Sequence, residues 1–134
     1  MSPVRVAAIT GALAVLAWSV GGLIVNPDFA TGDSATAKTV LGSDMNGWHA
    51  LSGFLVAVPA LLLLRGDPRT LALFLLVAAG SLTATALWAL VETHPAGGLF
   101  YFPNSEVDAL LHLGVSAIFV AGAATELRPA RRYA

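Results

Sequence analysis

Two histidines, His49 and His112, stand near the starts of long uncharged stretches, each with an oxygen-bearing residue about one helical turn before it. Asn46 precedes His49 by three positions and Asp108 precedes His112 by four, so on a helix each pair points to one side. An imidazole beside a carboxylate can share a proton, donate a hydrogen bond or hold a cation. Ionisable groups inside apolar membrane segments are costly, which makes these residues the first place to look for function.

Several uses of this chemistry stay open. The plainest is an interhelical hydrogen-bond pair between His49 and His112 that fixes the register of two helices. Alternatively, the two imidazoles face opposite sides of a haem b, with Gly53 and Gly114 leaving room. A third is a divalent, zinc-like metal held by Glu92, His94, Asp108 and His112. A fourth is a proton or solute path, although no charged residue continues it through the other half of the membrane. Ser105-Glu106-Val107-Asp108 also reads as a capping box, in which Asp108 satisfies backbone N–H groups at a helix start.

The elements that must position these residues are apolar helices. Residues from about 6 to 25 carry no charge, and 20 helical residues span about 30 Å, the thickness of a bilayer's hydrocarbon core. That run exceeds the core of about 7–15 residues found in a cleavable signal peptide, so it reads as a retained span. Further spans cover about 47–64, 70–91 and 109–125. The second is interrupted by Pro59, which removes a backbone hydrogen bond and should kink it. The expected fold is therefore all-α: a polytopic four-transmembrane-helix bundle occupying residues 1–134 as a single domain.

Composition agrees. The chain is 57% hydrophobic and 11% charged, whereas soluble domains carry about 25% charged residues. Arg5, Arg65, Arg69, Arg128, Arg131 and Arg132 fall on one side of the expected topology and Lys38 alone on the other, which predicts both termini on the cytoplasmic side. The opposite face is acidic, through Asp28, Asp33, Asp44, Glu92, Glu106 and Asp108. Trp48, Trp88 and the run Phe100-Tyr101-Phe102 suit interfacial anchoring. Residues 26–45, rich in Gly, Asp, Ser and Thr, read as a flexible outer loop.

Small residues recur every three or four positions: Ala7, Gly11, Ala14, Ala17 and Gly21 on the first span, Gly80 and Ala84 on the third, and Ala117, Ala121 and Thr125 on the fourth. Such stripes let helix backbones approach closely in lipid. A shift of 63 residues lays His49 on His112 and Arg65 on Arg128, which suggests two helical hairpins repeated in the same orientation.

A net charge of −1 and the lack of any basic run exclude nucleic acid as a partner. With no cysteine there is no disulfide or thiolate chemistry. Phosphate-binding loops, nucleotide fingerprints and hydrolytic triads are absent as motifs. The leading expectation is a non-enzymatic structural or accessory component, without a resident cofactor, that contacts the lipid bilayer and other membrane proteins or copies of itself. Haem or metal binding through His49 and His112 is the runner-up, and a small transporter or proton conductor the third.

Asn46-Gly47-Trp48-His49, Leu87-Trp88, Phe102-Pro103-Asn104 and Asp108-Ala109-Leu110-Leu111-His112-Leu113-Gly114 together resemble domain of unknown function family 4383, over about residues 36–122. The resemblance implies a small bacterial, mostly actinobacterial, four-helix membrane protein and supplies no activity. Family members often carry a histidine before the asparagine of the first motif, where this sequence has Met45; a multi-histidine metal site is correspondingly less expected.

Overall fold

The computed structural model describes residues 1–91, 103 and 105–128. Four helices carry the chain: α1 (Pro3–Val25), α2 (Gly47–Leu62, extended by a 3-10 turn at Leu63–Arg65), α3 (Pro68–Val91) and α4 (Glu106–Leu127). Each of these segments is long and apolar enough to cross a membrane. The all-α four-helix architecture expected from hydropathy is the architecture observed.

The helices outrun the uncharged stretches because caps, not charges, set their ends. Pro3 occupies the first position of α1, where its missing N–H costs nothing, so Arg5 lies inside the helix. Ser105 caps α4, whose first residue, Glu106, lies three residues before the expected start of that span. Asp67 accepts from the Thr70 N–H at 2.8 Å and from the Thr70 hydroxyl at 3.0 Å at the start of α3. Those bonds, the backbone one first, hold its carboxyl below the usual aspartate range. Helix α2 continues through Pro59 to Leu62.

Helix α1 packs against α2, α3 against α4, and α1 against α4, whereas α2 and α3 touch only sparsely. Helices α1–α2 and α3–α4 form close pairs, but the tight α1–α4 seam has no counterpart between α2 and α3, which departs from the two-fold repeat expected from the sequence. The core is built from Val4, Ala8, Ala12, Ala57, Leu71, Leu75 and Phe119, among others. Ser116 donates to the Ala79 carbonyl at 3.0 Å and meets the Thr83 hydroxyl at 2.7 Å, tying α3 to α4.

The small-residue stripes need correction. Ala7 and Gly11 are buried as expected, and a Cβ on Gly11 would run into the Phe119 ring. Gly21 is half-buried, while Ala14, Ala17, Gly80, Ala84, Ala117 and Ala121 are exposed on the bundle. The small residues that close the contacts are instead Gly22, Ala72, Ala78, Ala79, Gly122 and Ala123. Small residues recur on several faces of these helices, so spacing alone does not select the face that packs.

The expectation of a flexible loop before α2 also fails. Lys38–Val40 (β1) pairs antiparallel with Ser43–Met45 (β2) through a two-residue turn, Leu41-Gly42. Both turn residues have positive φ, 50° and 91°, the geometry of a tight hairpin turn. The Asn26 amide donates to the Met45 carbonyl at 3.0 Å and to that of Thr36 at 3.3 Å. Asp28 accepts from the Ala30 and Thr36 N–H groups at 2.8 and 2.9 Å and from the Thr36 hydroxyl, and the hydroxyl bond leads in holding its carboxyl below the usual range. The polar residues that suggested disorder are the ones that bond the loop to itself.

Candidate functional site

Two caps bring the site residues into place. The Asn46 side chain accepts from the His49 N–H at 2.9 Å, which starts α2 so that His49 lies in its first turn. The Ser105 hydroxyl accepts from the Asp108 N–H at 3.1 Å, which does the same for Asp108 in α4. Both helices start at the hairpin end of the bundle, so the imidazoles of His49 and His112 come to one level, with ring centroids 5.8 Å apart.

The capping box is half made. Ser105 caps as expected, but among the described residues the Asp108 carboxylate meets side chains rather than backbone N–H groups. Its Oδ1 lies 3.2 Å from His49 Nε2 and accepts from the Ser43 hydroxyl at 3.2 Å. Its Oδ2 lies 3.5 Å from His112 Nδ1. Asp108 is 1% exposed and His49 7% exposed, so both are shut away from bulk solvent. Asp108 Oδ2 and His112 Nδ1 make no hydrogen bond with the described residues. The position of Asp108 in the first turn of α4 sets its carboxyl group at the end of the helix dipole that favours negative charge.

The proton on His49 is fixed by its other nitrogen. Nδ1 lies 3.2 Å from the Asp44 carbonyl oxygen, which can only accept, so that contact makes Nδ1 the donor. In a neutral imidazole Nε2 is then bare. It faces a carboxylate oxygen, and two acceptors at that distance are held together only by a positive charge between or upon them. A second proton on the ring, a proton on the carboxyl or a bound cation each satisfies the pair.

Sequence reasoning found Asn46, His49, Asp108 and His112, and the structure brings the last three into one cluster, with Asn46 as a cap. Glu92 and His94 lie outside the described residues, as does the aromatic run 100–102. Sequence reasoning missed Ser43 and the Asp44 carbonyl. Their only signal was the turn glycine Gly42 between short polar and β-branched runs, which announces a hairpin in front of the Asn46 cap.

A cavity of about 660 Å³ opens beneath the cluster. Its walls come from all four helices, with Val15, Val56, Leu82 and Val115 among the apolar residues and His49, Asp108 and His112 at its hairpin end. The core beyond it includes the apolar residues Ala8, Ala12, Leu75, Ala78 and Phe119. Trp48, by contrast, serves the loop: its Nε1 donates to the Phe29 carbonyl at 2.8 Å, and its ring meets Phe29 edge to face.

Fold and site together define a multi-pass integral membrane protein with a buried His-Asp-His cluster at one end of its bundle. Comparison with protein-family models, curated proteins and solved structures finds no match to this chain.

Proposed function

We propose that the protein binds a divalent transition-metal cation through His49, Asp108 and His112 and performs no catalysis of its own. The observation that carries this reading is His49 Nε2 directed at the Asp108 carboxylate at 3.2 Å while Nδ1 faces the Asp44 carbonyl at 3.2 Å. Metal-bound histidines commonly show this arrangement, one nitrogen on the ion and the other donating to a backbone carbonyl. Ligand atoms each about 2.1 Å from a tetrahedral ion stand roughly 3.4 Å apart. The two histidine–carboxylate pairs stand 3.2 and 3.5 Å apart through different oxygens of Asp108, and one ligand atom from each of the three residues lies within 4.8 Å of the others. A carboxylate bridging the two imidazoles suits a single ion better than a porphyrin, which needs that space for its ring.

The test is a Co²⁺ titration of the untagged, chelator-stripped chain in detergent, followed by visible absorption and metal analysis. The reading expects one Co²⁺ per chain, with binding lost in Asp108→Asn and His49→Ala. A chain that takes up no Co²⁺, or variants that bind it as the native chain does, would overturn it.

An accessory role in a larger membrane assembly is a second reading, favoured by the exposed small residues Gly80, Gly114, Ala117 and Ala121 on α3 and α4. Recovery of a defined oligomer or a stoichiometric membrane partner from native membranes supports it, and a lone monomer counts against it. Membership of family 4383, like location in a bacterial inner membrane with cytoplasmic termini, stands as a proposal resting on the motifs and the arginine distribution.

A further inference from the structure

Among the described residues, the cavity beneath the cluster is closed at its hairpin end and open between α2 and α3. At the hairpin end Ser43, Met45 and Asn46 are buried to 0%, 1% and 0% exposure, so the hairpin roofs the cluster. At the side, α2 and α3 scarcely touch. The α3 residues lining the cavity there, Ser81, Ala84, Thr85 and Trp88, follow helical spacing and are all exposed. Thr85 spends its hydroxyl on the Ser81 carbonyl of its own helix at 3.0 Å. In a bilayer this side faces acyl chains, so the route in is through lipid.

Charge decides what enters. A divalent cation held by one carboxylate and two neutral imidazoles keeps one uncompensated positive charge in a site shielded from water, which is costly. Three protein ligands also leave a tetrahedral ion one open position. With the hairpin above it, that position is reached from the cavity. A monoanionic oxygen donor carried on an apolar body satisfies the charge, the coordination and the walls together. The volume, about 660 Å³, falls in the range of about 300–1,000 Å³ typical of small-molecule sites, which admits one chain rather than a whole diacyl lipid.

We infer that the cavity receives a single-chain carboxylate, a fatty-acid-type anion entering between α2 and α3, whose head group takes the open position of the cation at His49, Asp108 and His112. This rests on the cation-binding reading. It makes the protein a receptor for a membrane-dissolved acid, with the metal as the recognition element.

The experiment uses the Co²⁺-loaded chain in phosphatidylcholine nanodiscs, titrated with decanoic acid and, separately, with its methyl ester. The acid shifts the Co²⁺ visible bands and saturates at one per chain, while the ester, which lacks the anion, leaves them unmoved. Thr85→Trp and Ala84→Trp fill the side opening without touching the ligands; both retain Co²⁺ and weaken the acid response at least tenfold. If Co²⁺ binds but the acid leaves its bands unchanged, this inference falls and the cation reading stands. If no Co²⁺ binds, both fall. Tryptophan variants that respond to the acid like the native chain place the acid elsewhere and overturn the inference.

Discussion

Asp108 is held by a residue that belongs to neither of the histidine-bearing helices. The Ser43 hydroxyl donates to its Oδ1 at 3.2 Å, and Ser43 itself, on the second strand of the hairpin, is fully buried. A ligand oriented by such a bond binds metal better than one free to rotate, and removing an outer-shell partner of this kind typically weakens affinity about 10–100-fold. Ser43→Ala should therefore lower Co²⁺ affinity by about that factor while leaving the stoichiometry at one. A titration that shows native affinity would mean that Asp108 is held by the histidines alone. The residue scale is also where the sequence was least complete. Asp108 and His112 are joined by helical spacing, so their partnership is legible. The meeting of His49 with Asp108 is made by tertiary packing, and Ser43 acts from a hairpin whose register no periodicity announces.

At the scale of the element, composition determines that a segment is a helix but not which face it turns inward. In water, polar residues mark the outer face; in these helices lipid-facing and core-facing positions are both apolar, so that contrast is missing. The stripe Ala7 and Gly11 continues in register to Ala14 and Ala17, yet the first two are buried and the last two exposed. What distinguishes them is the partner: Phe119 fills the place where a Gly11 side chain would stand, and Ala7 does the same at Gly122. Gly11→Val accordingly forces the Phe119 ring to move and should destabilise the bundle by about 1–3 kcal/mol, as overpacking does. Ala117→Val, on the exposed side of α4, should change stability by no more than about 0.5 kcal/mol. Reversible unfolding in mixed micelles of increasing sodium dodecyl sulfate compares the two. Equal losses would mean that Ala117 is a contact surface after all, buried by a second chain.

For the whole molecule the governing asymmetry is one of charge between its two ends. Arg5, Arg65, Arg69 and Arg128 gather at the end formed by the α2–α3 turn, where Arg5 also donates to the Gly66 carbonyl at 3.3 Å. Asp28, Asp44 and Glu106 lie at the hairpin end, with Lys38 the one basic residue there among the described residues. The proposal that the turn end faces the cytoplasm rests on this arginine excess. On that proposed orientation the His-Asp-His cluster would lie in the outer half of the membrane, where the proposed cation would be drawn from outside the cell. The absence of cysteine makes the assignment directly measurable, because any introduced thiol is the only one present. Ser34→Cys, in the exposed loop before the hairpin, should react with a membrane-impermeant maleimide on intact cells. Gly66→Cys, in the exposed turn, should react only after the membrane is opened. The reverse pattern would invert the molecule and bring the cluster to the cytoplasmic side. The supply of metal, and of any acid bound with it, would then have to be sought among intracellular pools.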